Sequence, residues 1–373
     1  MRRTLAALAI LIFSFTFLCL YPNEVYGFEV KFDKGIEFEE GAEAEINFRA
    51  FCVAEDGLFL IPDYQAGTIK TFDQDEMVSK LKFARKFGIK GFGSDEFDKP
   101  AYCFYDSKYG KFGISDIGIG TKKVFIYDRI KGTDFKMVNK IPGADCFDMR
   151  LSGDGKQLIV SGYVRDKDQK SYELYTINLE NPKQKNFLLP SYQKYHLAND
   201  EEYQIEYFGK RTLPAIGIKA FIDVYGDDVY FVWEGKLKII RINLKTKEKF
   251  VFGHPTPSYI EPFASKELVT ARLNEEYTKT RAERRKMSFV RDIFATSRYI
   301  FVVCKGPGQG NFWMQAYTPD GKYLDDMEIP NNHPYREMWL DKDIHENIFT
   351  LYSLSRTESN KPQILIYKVK VNE

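Results

Sequence analysis

Six short stretches of the chain share one pattern of apolar and polar positions: TIKTFD from Thr68, KVFIYD from Lys123, ELYTIN from Glu173, KIIRIN from Lys238, WMQAYT from Trp313 and QILIYK from Gln363. The second position is always Ile, Val, Leu or Met, and the fifth is always Phe, Tyr or Ile. The sixth is Asp, Asn or Thr in five of the six, residues that open turns. Positions two and five have opposite parity, so an extended chain points them to opposite faces. A strand that is apolar on both faces lies between two layers, whereas a one-sided sheet would alternate cleanly.

Upstream of each hexapeptide lies a second strand-like run after a turn, as in EDGLFLIPDYQAG, GDGKQLIVSGYVRD and GDDVYFVWEGK. Shorter runs precede those, among them RAFCVA, DCFDMRL, AFIDVY and VRDIFA. The repeating unit is therefore strand, Asp/Gly turn, strand, polar hairpin, strand, and a variable fourth strand. Successive hexapeptides start 55, 50, 65, 75 and 50 residues apart. A four-stranded propeller blade takes about 40 to 50 residues, so the longer intervals carry insertions. Residues 181–217 form one, polar and aromatic. Residues 264–288 form the other, charged and free of internal Pro and Gly, which predicts a helix from near Ser265 with a solvated face.

After QILIYK only VKVNE remains, too short for a further turn and strand, while FEVKFDKGIEF stands as an orphan strand before the first unit. The economical arrangement is all-β: a six-bladed β-propeller over residues 28–373, its last blade closed by the N-terminal strand, with one helical insertion. Closure of this kind removes exposed sheet edges.

The stretch FCVAEDGLFLIPDYQAGTIKTFDQDE, followed by KFGIKGFGSDEFDKPAYC, resembles an NHL-type repeat of six-bladed propellers. Asp56-Gly57, Asp63, Ile69, Phe72-Asp73, Gly88, Gly91, Phe97 and Pro100 occupy the places of that pattern. The resemblance covers about residues 48 to 105, and the later units keep only the strand rhythm. It implies a family whose members include interaction modules, gluconolactonase-like metal hydrolases and peptide-amidating lyases, so fold alone leaves the chemistry open.

Composition narrows the partners. With 54 basic and 53 acidic residues the net charge is +1, which gives no electrostatic reason to expect nucleic acid. The N-terminus carries Arg2 and Arg3, then a nearly unbroken apolar run over residues 4–20, and Val25-Tyr26-Gly27 before Phe28. This reads as a signal peptide over residues 1–27 and a secreted or periplasmic protein. Membrane attachment is expected only if that signal stays uncleaved. Cys52, Cys103, Cys146 and Cys304 lack the CxxC spacing of zinc ligands; they sit in apolar strand-like runs, the setting of buried free thiols, with two disulfides the alternative for an exported protein.

Two glycine clusters pose a nucleotide question. ARKFGIKGFGSDEFDKP (residues 84–100) lies between two strand-like runs, and CKGPGQGNF (residues 304–312) reads as a hairpin tip. Neither is followed by the helix a phosphate loop requires. His196, His254, His333 and His345 form no HxH or HExxH motif, and no G-x-S-x-G is present. The remaining candidates are polar residues in or beside the predicted innermost strands: Arg49, Asp145, Asp148, Arg150, Asp223, Arg291, Asp292, Arg336 and Glu337. Their mixed signs predict a wet, internally paired channel rather than a metal cage, which would be predominantly acidic. The expected function is a monomeric binding module that offers this channel mouth and its loops to a protein, peptide or glycan, without a cofactor. The alternative is a lactonase- or lyase-type enzyme with Ca2+ or another divalent ion at the axis.

Overall fold

The computed structural model describes residues 27–372 apart from 40–49, 76–79, 94, 119–121, 145, 169, 191–218, 258, 263–265, 275, 309–310, 331–337, 346, 358 and 360. The expected signal peptide and most of the first insertion lie outside the described residues.

The chain is mostly β, built from antiparallel quartets in which each strand pairs with the next. The first quartet is β2 (Cys52–Val53), β3 (Phe59–Asp63), β4 (Thr68–Asp75) and β5 (Lys80–Phe87). The second is β6 (Pro100–Asp106), β7 (Lys111–Asp116), β8 (Lys123–Lys131) and β9 (Asp134–Pro142). Then follow β10 (Asp148–Leu151), β11 (Gln157–Arg165), β12 (Ser171–Asn178) and β13 (Lys185–Pro190), and after them β14 (Ala220–Tyr225), β15 (Asp228–Trp233), β16 (Lys236–Asn243) and β17 (Lys249–Phe252). The fifth holds β18 (Phe289–Ala295), β19 (Ile300–Lys305), β20 (Phe312–Tyr317) and β21 (Tyr323–Ile329). The last holds β22 (Met338–His345), β23 (Ile348–Arg356) and β24 (Pro362–Asn372), with β1 (Gly27–Phe38) antiparallel to β24 from Gly27↔Asn372 to Glu37↔Gln363. A short parallel contact, Glu37↔Lys80 and Phe38↔Leu81, joins this quartet to the first in one eight-stranded sheet.

Each hexapeptide falls on the third strand of its quartet, and the two-faced burial follows. In β8, Phe125 and Tyr127 pack with the first quartet, while Val124 and Ile126 pack with the third. The six described core clusters divide the same way, one between each successive pair of quartets and one between the last and the first. The fold is propeller-like in this sense: sheets stacked face to face around a common centre, with apolar rings between them. Cys52, Cys103, Cys146 and Cys304 are buried in these layers as free thiols. Burial pushes the Cys52 and Cys304 thiols up and keeps them protonated.

The glycine link of residues 84–100 connects β5 to β6. Gly91 N–H donates to Phe97 O (2.9 Å), Gly93 N–H donates to the Glu96 carboxylate (2.8 Å), and Phe97 N–H donates to Ile89 O (2.8 Å). These amides are engaged within the link, and a strand follows rather than a helix. Gly88 has φ +84°, and a side chain there would meet the buried Phe97 ring, which itself packs on Phe125 with centroids 4.8 Å apart. Asp116 pins the exit of the link by accepting Asp98 N–H (3.0 Å) and Lys99 N–H (2.7 Å).

The second insertion forms two short helices, α1 (Lys266–Leu273) and α2 (Tyr277–Arg284), where one helix was expected. Asn274 closes the first, a residue favoured just past helix ends. Arg284 of α2 donates to the Glu234 carboxylate at 3.2 Å, which seats the insertion on the β15–β16 hairpin.

Candidate functional site: an axial pocket at the first-hairpin end

In an antiparallel quartet the hairpin joining the first two strands lies at one end, and the link to the next quartet leaves from the other. The innermost strands are short and apolar, and their polar residues point where neighbouring quartets meet. Asp148 of β10 accepts Ile222 N–H from β14 at 2.9 Å. Asp223 of β14 accepts Ala295 N–H from β18 at 2.6 Å. Each carboxylate thus ties its own inner strand to the next one.

Arg150 bridges the two, with Nη1 2.6 Å from Asp148 Oδ1 and Nε 3.1 Å from Asp223 Oδ1. Lys342 of β22 completes the chain of charges, its Nζ 2.6 Å from Asp223 Oδ2. Burial works against the Arg150 charge, but Asp148, Asp223 and Asp292 outweigh it and raise its pKa. Asp148 shows the opposite balance, since burial raises its carboxyl against the pull of Arg150.

Above this network opens a cavity of about 500 Å³, to which all six quartets contribute. The β2–β3 hairpin brings Glu55, the β6–β7 hairpin Asp106 and Lys108, and the β10–β11 hairpin Gly153. Tyr225 closes the β14 side, Phe294 the β18 side, and Trp339 the β22 side. Tyr225 is 48% exposed, and Trp339, which also packs against two of the core clusters, is half-buried. Burial raises the Asp106 carboxyl and the Tyr105 hydroxyl. The rim is held by hydrogen bonds between hairpins, with Tyr109 Oη and Lys108 Nζ both donating to Gly153 O at 2.6 Å.

Gly153 itself lies against the β14–β15 turn, where an added Cβ would come 2.0 Å from Gly226 O. Gly153→Ala is therefore expected to cost about 1–3 kcal/mol through forced backbone movement. Equilibrium denaturation measures this, and a change within ±0.5 kcal/mol would show that the two hairpins do not touch.

On the rim outside the pocket, Arg129 grips the Asp56 carboxylate with both terminal nitrogens, Nη1 at 2.9 Å. These hydrogen bonds hold the Asp56 carboxyl below its ordinary value. A depressed carboxyl stabilises the fold above its unfolded pKa and loses that contribution as pH falls through the folded one. Because the Asp56 side chain is 53% exposed, solvent screening limits the pair to about 1 kcal/mol. Asp56→Ala is expected to lower stability by that amount at pH 7, with the difference from the parent narrowing as pH falls below the ordinary aspartate range and through the depressed carboxyl's own. Denaturant melts of both proteins across pH supply the check; a constant difference would contradict it.

Of the residues singled out in the sequence, Asp148, Arg150 and Asp223 converge at the axis. Asp292 acts on the Arg150 charge from β18 and accepts Ile293 N–H at 2.9 Å. Arg291 points away, to the opposite end, where Glu234 accepts from both Arg291 (3.1 Å) and Arg284. Arg49, Asp145, Arg336 and Glu337 lie outside the described residues. Lys342, Trp339, Tyr225, Asp106 and Glu55 were not singled out beforehand. Tyr225, Asp106 and Glu55 lie at or just past the end of an innermost strand, whereas Trp339 and Lys342 lie within β22. Among the described residues no three His, Cys, Asp or Glu side chains come together as metal ligands.

No family model matches the chain, and no curated protein matches it. Solved structures do. A candidate exported protein of Bacteroides fragilis is similar over 94% of this chain and 98% of its own, with a TM-score of 0.54 and 12% identity. The alpha-L-arabinanase of Penicillium chrysogenum matches over 91% of this chain and 98% of its own, with a TM-score of 0.49 and 10% identity. The PQQ-bound aldose sugar dehydrogenase of Streptomyces coelicolor matches over 92% and 99%, with a TM-score of 0.45 and 9% identity. These proteins are β-propeller-like, and at 12% identity the likeness to the Bacteroides fragilis protein extends to the fold alone. No helix among the described residues is long and apolar enough to cross a membrane.

Proposed function

We propose that this protein is an exported, six-bladed β-propeller of the NHL-like kind, closed by β1 on β24, that binds a protein, peptide or glycan in its axial pocket. The observation that carries this reading is the pocket itself, a cavity into which all six quartets send hairpin or inner-strand residues. Convergence of aromatic rings and paired charges in one concave site is what ligand recognition needs. The hairpins are already fixed by Tyr109, Lys108 and the Asp223 network, so binding requires little ordering. Export is supported by the N-terminal Arg-Arg and apolar run and by the likeness to a candidate exported protein.

A photocrosslinking amino acid placed at position 225 tests the location of binding. Its counterpart at position 277, on α2 at the other end and 63% exposed, is the comparison. In native envelope extract, capture at 225 well above 277 is expected; equal capture, or capture at 277 alone, would overturn the assignment.

A further inference from the structure

We infer that the axial pocket takes an uncharged short saccharide; this rests on the axial-pocket reading above and names its ligand class. The charged lining holds four carboxylates, Glu55, Asp106, Asp223 and Asp341, against three cations, Lys108, Arg150 and Lys342. Those cations are committed. Arg150 is held by Asp148 and Asp223, Lys342 Nζ by Asp223 Oδ2 at 2.6 Å, and Lys108 Nζ by Gly153 O at 2.6 Å. An anionic ligand such as a phosphate would have to draw Arg150 or Lys342 off a buried carboxylate, leaving a costly unpaired charge, or rely on the exposed Lys108 alone against four lining carboxylates. For a cationic ligand, the most deeply buried lining acid, Asp223, already serves two cations and a backbone N–H, while Asp106 accepts Tyr109 N–H and Glu55 accepts from the Tyr105 hydroxyl.

Paired charges still carry spare lone pairs and N–H groups, since a carboxylate accepts about four hydrogen bonds and guanidinium and ammonium groups donate several. A hydroxyl is the ligand group suited to such a surface, because it donates to the carboxylate and accepts from the cation without adding charge. Saccharides present hydroxyls at close intervals around a ring whose C–H face is apolar. Trp339 and Tyr225, both partly exposed and both in the lining, are the rings on which that apolar side would stack, with the Arg150–Asp223–Lys342 chain in the same lining. The cavity of about 500 Å³ lies in the small-molecule range and is ringed by hairpins, which suits a short saccharide better than an extended chain.

The test is isothermal calorimetry on the full chain with maltotriose, cellotriose, xylotriose and mannotriose. Trigalacturonate and trialanine serve as the charged and peptide comparisons. At least one neutral trisaccharide is expected to bind saturably, with Trp339→Ala and Tyr225→Ala each weakening it about tenfold or more, as loss of a central aromatic contact does. Tyr225 sits at an exposed hairpin, so its variant keeps the fold, which near-ultraviolet circular dichroism checks. Absence of binding by all four neutral trisaccharides, or binding indifferent to both substitutions, overturns the inference. If trigalacturonate or trialanine alone binds, and Tyr225→Ala abolishes it, the pocket stands and the saccharide assignment falls. If the probe at position 225 also captures nothing from extract, the pocket reading falls with it.

Discussion

Asp223→Ala is expected to destabilise the protein by about 3–5 kcal/mol, the cost of removing one partner from a buried ion pair. The residue is 1% exposed, and its carboxylate joins four quartets. Oδ1 accepts from Arg150 on the third, and Oδ2 accepts from Lys342 on the last and from Ala295 N–H on the fifth. The substitution leaves Arg150 with one carboxylate fewer and a buried amide without its acceptor. Asp223→Asn is expected to fall between parent and alanine variant, because an amide oxygen can still accept from Ala295 but attracts neither cation. Guanidinium denaturation at neutral pH measures both, and a loss under 1 kcal/mol for the alanine variant would contradict the shared-carboxylate account.

Deleting residues 28–38 is expected to abolish cooperative folding. This segment supplies Phe28 and Val30 to the core between the fifth and last quartets. It also supplies Ile36 and Phe38 to the core between the last and the first. Burying an apolar side chain of this size is worth about 1.5–3 kcal/mol, so four approach the whole stability of an ordinary domain. The deletion also uncovers the β24 edge along its length and opens a template for aggregation. The expected outcome is loss of a sigmoidal thermal transition and rapid proteolysis. A chain lacking 28–38 that melts cooperatively near the parent temperature would mean that β1 is not integral to the last sheet.

The rhythm of the quartets was legible because a middle strand buried on both faces leaves a double apolar signature, seen in Val124 with Ile126 and Phe125 with Tyr127. The glycine link was legible too, since strand-like runs flank it and no helix follows to supply the dipole that a phosphate loop needs. The site was legible only in part. Asp148, Arg150 and Asp223 stand out as charges within apolar inner strands. Arg291 looked equivalent, but the register shifts between Val290 and Asp292. That bulge turns Arg291 out of the alternation and toward Glu234, and a bulge of this kind leaves no mark in residue type. Lys342, Trp339 and Tyr225 escaped notice because their meaning depends on which end of the inner strands carries the pocket. Nothing local in WLDK or VYGD encodes that; it follows from how six distant segments meet.

The central claim is that recognition occurs in the axial pocket at the first-hairpin end. A crystal structure of the protein soaked with the trisaccharide that binds most tightly tests it most directly. The account predicts sugar density within the cavity, a ring stacked on Trp339 or Tyr225, and hydroxyls within hydrogen-bonding distance of the Arg150–Asp223–Lys342 chain. Density confined to the end that carries α1 and α2, with the axial cavity empty, would contradict it.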